Sequence, residues 1–365
     1  MRWILLLCST LWAFGSFAAD VPVFDDSKVI NKSFAVEENV EVEISNKYGD
    51  VVITTGTSDS VVVRIEIKAF SEKLDRVDEL MQMVDVNFSS GTDYVDVYTE
   101  WGKNTSTIKK GMADIARILG GNSRIEINYF VQIPPSAKLE ISNKFGNISV
   151  PSLTEDLRVD LSHGNFRAKK LSSLKKLNMS YGKANIKEIK KGNLDLKFTD
   201  LKLDKAGKIN VSASSGEVEI EEVSQLNLTV KHGSAELEEV DVLSITSTLS
   251  EIDIEKLNVS LSGSMKYGEF TIDEVGTDFT SIDVASTLAS IDLGFNSQIA
   301  FEYDVILNHG KGMHLPSTNN NISSRKTLDK DEIVKGRIAT KDAGGKMSSV
   351  VVNGKYCSVS LEVND

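Results

Sequence analysis

The chain has 365 residues, 41% of them hydrophobic and 26% charged, and its 53 Asp and Glu outnumber 41 Lys and Arg for a net charge of −12. Such acidity excludes a general nucleic-acid binder, whose affinity rests on Lys and Arg at the phosphates. With cysteine only at positions 8 and 357 there is no internal disulfide framework.

Residues 1–19 read as an export signal: Arg2 supplies a short positive start, Trp3 to Phe14 is apolar, and Ser16-Phe17-Ala18-Ala19 offers a small-residue cleavage site. Only seven residues precede Cys8, too few for a lipoprotein leader. No later stretch approaches the ~18 apolar residues a membrane-spanning helix needs. The protein is therefore expected outside the inner membrane, in the periplasm or at the cell surface.

Residues 20–138 open with the phrase ISNKYGDVVI, Ile44 to Ile53, and then make an excursion. Alternation predicts strands over Val61–Ala69, Tyr94–Thr99 and Ile125–Ile133, the last ending at Pro134-Pro135. Leu74, Val77, Leu80, Met81 and Val84 form one face of an amphipathic helix, and Met112, Ile115, Ile118 and Leu119 suggest another.

The phrase returns as ISNKFGNISV, Ile141 to Val150, and opens a train of degenerate repeats over 139–295. Taking its glycine as an anchor, the series runs Gly146, Gly164, Gly182, Thr199, Gly216, Gly233, Ser250, Gly268 and, more loosely, Ala289. All steps but the last are 17 or 18 residues. Two and four positions after each anchor the chain is apolar, and seven positions after it mostly so, as in Val218, Ile220 and Val223 after Gly216. Period-two alternation interrupted by a small residue means short strands joined by tight turns, and a unit this short must stack on its neighbours. A propeller blade would need roughly 40 residues, so the spacing excludes it. The expected fold is mainly β: a single-stranded parallel β-solenoid of 17–18 residues per coil with a small helical and hairpin excursion. Residues 296–346, with Asn319 to Asn321 and Gly344-Gly345, read as a loop-rich excursion, and 347–365 as a terminal coil of the same continuous domain.

The charges are segregated. Residues 165–208 hold 13 Lys or Arg against 4 Asp or Glu, whereas 216–275 hold 3 against 14. A solvated face accounts for both; the alternative is an interaction surface, basic at Lys169, Lys170, Lys187, Lys190 and Lys191 and acidic at Glu219, Glu221, Glu222, Glu238 and Glu239. No shaped calcium loop appears among the acidic repeats, so no metal is assigned.

The residue before the anchor is usually large: Tyr48, Phe145, His163, Tyr181, Phe198, His232, Leu249, Tyr267, Leu288 and Tyr356. Such a column stacks upon itself and fixes register; a sugar-binding groove is the alternative. If these rings are fully buried, truncating Tyr181 or Phe198 to alanine should cost about 3–5 kcal/mol. His163 and His232 lie about 19 Å apart by strand spacing and cannot share a metal. His309 and His314, in HGKGMH, are two ligands without a third. Cys357 reads as a small buried hydrophobe. There is no nucleophile elbow, phosphate loop or paired-histidine zinc motif, so no catalytic residue or cofactor is assigned.

The two phrases resemble the signature of a family of exported bacterial candidate adhesins with β-strand repeats, common in Bacteroidetes-type bacteria and without an assigned activity. The match extends to the excursion ending in Val131-Gln132-Ile133-Pro134, the repeat train and the terminal coil. The resemblance implies a non-enzymatic, adhesin-like protein that binds an envelope or extracellular protein or glycan. A periplasmic structural or signalling scaffold is the first alternative, and a carbohydrate-active enzyme the second.

Overall fold

The computed structural model describes residues 23–102, 123–340 and 347–364. The export signal and the helical patch at Met112–Leu119 lie outside the described residues. Twenty strands and one helix are described, and the strands join in one large, mostly parallel sheet that is not closed.

The repeat train forms the middle. Strands β8 (Lys138–Lys144), β9 (Ile148–Val150), β10 (Leu153–Ser162), β11 (Phe166–Ser214), β12 (Glu217–Lys231), β13 (Ser234–Val275) and β14 (Ser281–Phe295) follow one another. They pair in parallel from one repeat to the next, and the register is the sequence repeat itself: Leu201 faces Val218, Val218 faces Ala235, and Leu226 faces Leu243. A residue thus meets its own counterpart one repeat on, and each repeat makes one rung. The apolar positions two, four and seven after each anchor are all buried, from Ile148, Val150 and Leu153 to Phe270, Ile272 and Val275. Alternation on a pleated strand dictates this, since only every second side chain points inward.

The first phrase supplies the rung before the train. Strands β2 (Glu41–Lys47) and β3 (Val51–Thr55) lie parallel to β8 and β9, with Ile44 opposite Ile141 and Val51 opposite Ile148. The buried Asn46 and Asn143 hold the turn: both donate to the Gly49 carbonyl, at 3.3 and 2.9 Å, and Asn46 also to Ile127 O at 2.8 Å.

Beyond this rung the excursion builds an end. Strands β4 (Ser60–Ser71) and β7 (Arg124–Ile133) pair antiparallel, β7 lies parallel to β3, and β1 (Phe24–Ala35) is antiparallel to β4. On the other side β6 (Tyr94–Trp101) lies parallel to β2, with β5 (Val84–Ser90) antiparallel to it. Helix α1 (Leu74–Met83) covers this end with Val77 and Leu80 buried. Leu74, expected on that apolar face, is exposed because it begins the helix above open solvent.

The far end corrects the expectation of a loop-rich segment. Strands β15 (Ala300–Asn308), β16 (Gly312–His314), β17 (Asn320–Leu328) and β18 (Asp331–Ala339) fill most of it, with β18 antiparallel to both β15 and β17. The terminal strands β19 (Ser348–Lys355) and β20 (Ser358–Val363) lie parallel to β14 and are sandwiched against β15 and β16. The last rung in sequence therefore lies in space between β14 and β15. Cys357 is buried there, and burial raises its thiol pKa despite a hydrogen bond from Ser286 that works the other way.

Candidate binding surface

The corner before each anchor is the most regular feature of the surface. Tyr48, Phe145, His163, Tyr181, Phe198, Ser215, His232, Leu249, Tyr267, Leu288 and Tyr356 all adopt the left-handed conformation, with φ from 50 to 67°. The backbone N–H here donates to the next rung, as from Phe145 to Ser162 O and from His163 to Ser180 O, both at 2.9 Å. The following glycine is required by close approach: a Cβ on Gly146, Gly164 or Gly182 would overlap the carbonyl oxygen of the preceding anchor. Where the anchor is Thr199 or Ser250, the hydroxyl donates to the carbonyl two residues back, each at 2.9 Å.

From this corner the rings project as a ladder. Tyr48, Phe145, His163, Tyr181 and Phe198 stack with centroids 5.2, 4.9, 4.7 and 5.0 Å apart and planes within 11°. Trp101 closes one end edge-on to Tyr48 at 5.2 Å. The rings are about half exposed, 46% at Phe145, 50% at Tyr181 and 54% at Phe198, so the cost expected of buried rings does not apply. Between neighbours the faces are taken up by one another and only the edges meet water, so within the ladder there is no flat platform for a sugar ring.

The outward charges stand in straight columns along the rungs. Lys170 pairs with Glu188 at 2.7 Å, Lys187 with Asp204 at 2.6 Å and Lys256 with Glu239 at 3.7 Å; Glu219 and Glu222 close on Lys202 and Lys205. The basic and acidic stretches, separate in sequence, thus neutralise each other where their rungs meet. Lys169, Lys190, Lys191, Glu221 and Glu238 make no ion pair among the described residues. Lys190 and Lys191 do sit near Glu188 and Asp156, whose pKa values fall below the usual range, chiefly through hydrogen bonds from Lys170 and Ser173 respectively. Neutral ladders run beside them: Asn227 donates to Asn210 at 2.6 Å and Asn210 to Asn193 at 2.7 Å.

Acidic crowding peaks farther along. Burial, then Glu251 and Asp273, raise the pKa of Asp253; burial, then Glu362, raise that of Asp292. At the opposite end, burial and then Glu140 and Asp96 raise that of Glu43 in an open groove of about 640 Å³ whose rim includes Lys138, Arg158 and Lys175. Among the described residues no group of three His, Cys, Asp or Glu is placed to hold a metal ion. His309 lies 3.4 Å from Asp331 and against Tyr356, while His314 sits on β16 beside Pro316 and Glu362.

Sequence reasoning did not single out Asn46, Asn143 or Ser215. The first two stand in the duplicated phrase, where a polar residue at an inward position was the available signal. Ser215 is the small member of a column of large ones.

Fold and surface together define a mainly β protein with a mostly parallel sheet and a broad, ordered outward face. No family model matches the chain, and no curated protein does. Similar solved structures are a candidate lipid-binding protein of Parabacteroides distasonis (14% identity, TM-score 0.35, 73% of this chain and 96% of that one), a candidate adhesin of Bacteroides fragilis (12%, 0.26, 92% and 97%) and a candidate cell adhesion protein of Clostridium sporogenes (11%, 0.19, 92% and 100%). The structural neighbours named here are thus candidate adhesion and lipid-binding proteins. At these identities and TM-scores they carry no weight on activity. No helix among the described residues is long and apolar enough to cross a membrane.

Proposed function

We propose that the chain is an exported, non-enzymatic binding protein of the cell envelope, adhesin-like, whose sheet winds as a parallel β-solenoid of 17–18 residues per coil. The winding is supported by β11: residues 171–180 pair with β10, residues 201–214 pair with β12, and a straight strand of 49 residues could not do both while each residue meets its counterpart one repeat on. The single observation that carries the binding role is the outward face itself. Its side chains stand in columns on rigid paired backbone, a wide surface formed before any partner arrives, so little ordering entropy opposes association. Lys169, Lys190 and Lys191, outward and without ion pairs among the described residues, are its basic contacts; Glu221 and Glu238 are the acidic ones.

Protease treatment of intact cells tests the reading. Cleavage is expected, with a periplasmic protein protected as control. Cleavage only after the outer membrane is opened would overturn surface adhesion and leave the periplasmic scaffold. On the purified protein, the Lys169→Glu, Lys190→Glu, Lys191→Glu variant should melt as the parent does yet lose attachment of protein-coated beads to host-cell monolayers. Unchanged attachment that is also insensitive to salt would sink the charged-face assignment.

A further inference from the structure

The corner column contains one small residue where all its other members are rings or leucines. Five rings from Tyr48 to Phe198 stack without interruption, and the next member is Ser215, followed by His232. All three residues from Phe198 to His232 keep the left-handed corner, at φ of 50, 60 and 56°, so the backbone does not depart from the repeat where the ring is lost. Two strand spacings, about 9.6 Å, separate the rungs of Phe198 and His232. That gap leaves about 4.8 Å on either side of an inserted ring, matching the 4.7–5.2 Å spacing of the ladder itself. Phe198 is 54% exposed, and no ring covers its C-terminal face among the described residues.

The column also shows what would meet an inserted ring. A lysine precedes many of the corner residues, and Lys47 lies 4.5 Å from the Tyr48 centroid and 6.0 Å from that of Phe145, touching its own rung and the next. Lys355 repeats the contact with Tyr356 at 5.4 Å. Lys197 precedes Phe198 and Lys231 precedes His232 at the same position of the repeat; both are exposed, one on each side of the gap. Across the turn Asp200 is engaged by Lys183 at 3.2 Å, and Glu217 is exposed. A cation placed beside a ring favours electron-rich systems over aliphatic ones of the same shape.

We infer that the notch at Ser215 is a binding slot for one electron-rich aromatic ring, an indole or phenol side chain of a partner polypeptide, which completes the ladder between Phe198 and His232 under Lys197. The slot deepens the proposed binding role and rests on it, but depends on none of Lys169, Lys190 or Lys191.

N-acetyl-tryptophanamide titrated into the full chain tests it, read by amide chemical shifts. Saturable perturbation confined to the rungs of Phe198, Ser215 and His232 is expected. Ser215→Phe should fill the slot from within, abolish the perturbation and raise the melting temperature, since Phe145 and Phe198 already occupy the same backbone conformation. Ser215→Leu, which follows the natural Leu249 and Leu288, is a second blocking variant should the first fold poorly. Lys197→Ala should weaken the probe about two- to fivefold. The cyclohexylalanine analogue should not bind. Equal binding by that analogue, perturbation scattered over other rungs, or undiminished binding to both blocking variants would overturn the slot. Slot binding retained in the triple lysine variant that no longer attaches to cells would separate the two surfaces.

Discussion

At every corner but that of Ser215 a large residue holds a conformation that L-amino acids visit reluctantly, at a cost of about 1–3 kcal/mol. The compensation lies in the hydrogen bond from its N–H to the next rung and in ring stacking, worth about 0.5–1.5 kcal/mol per aromatic pair. Tyr181 stacks on both His163 and Phe198, whereas Phe198 stacks on Tyr181 alone. Tyr181→Ala is therefore expected to cost about 1–3 kcal/mol and Phe198→Ala about half as much, measured by denaturant unfolding. Equal costs would mean that stacking is not what these rings contribute. The adjoining glycines are less forgiving. Gly182→Ala drives a methyl into the Gly164 carbonyl and should destabilise by well over ~1 kcal/mol, while Gly312→Ala, with nothing near its would-be Cβ, should be close to neutral. The glycine phrase was legible in the sequence as a turn. That its partner is the carbonyl of the previous repeat was not, because that contact exists only once the rungs are stacked.

At the scale of a strand and its neighbour, what could be read depended on whether one face is buried. Every inward position of the repeats, such as Leu226, Leu228 and Val230, announced itself by alternation. Strands β1 and β17 did not, because both lie at the margin with nearly every side chain in solvent and so carry no period. Between them in clarity stands β15, where Phe301, Tyr303, Val305 and Leu307 alternate and are buried, yet the Asn and Gly clusters that follow pulled the reading toward loops. The outward columns were legible as charge but not as pairing, since 17 residues of sequence separate Lys187 from Asp204.

Outward columns also set the response to pH. Asp253 has a raised pKa in the folded chain, so it binds its proton more tightly folded than unfolded. Its ionisation opposes folding: this stabilisation is present below the unfolded value of 3.8 and is lost as pH rises through the folded one. Asp253→Asn should therefore raise stability near neutral pH, by about 0.5 kcal/mol. The gain should close as the solution is acidified below the ordinary aspartate range. Asp156 and Glu239 run the other way, with carboxyls held low chiefly by hydrogen bonds from Ser173 and Asn258, so their contribution disappears on acidification. Melting curves of parent and variant across pH 3–7 check the sign; a gain that persists at low pH would show that the charge of Asp253, disfavoured by burial and then by Glu251 and Asp273, is not the cause.

For the whole molecule, the order of strands in space departs from their order in sequence at both ends, and the far end has consequences for assembly. The chain leaves β14, builds β15 to β18, then returns to insert β19 and β20 between β14 and the segment it has just made. Ser348 seals the insertion with a hydrogen bond to the Phe279 carbonyl, and Asn364 binds Asp273 O at 2.9 Å. Until that last rung arrives, β14 presents a bare parallel edge with its apolar face partly uncovered, and Phe295 and Phe301, stacked at 4.3 Å, bridge the gap. Unpaired edges of this kind recruit other chains. A chain ending before Met347 should therefore keep the N-terminal rungs folded, because each rung is held mainly by its neighbours. It should also gain rapid proteolysis across 296–340 and self-association through β14. Limited proteolysis with size-exclusion chromatography reads both. A truncated chain that stays monomeric and resistant would mean that β15 can close on β14 directly, so that the final rung is an addition to a finished stack rather than the piece that joins its end to its middle.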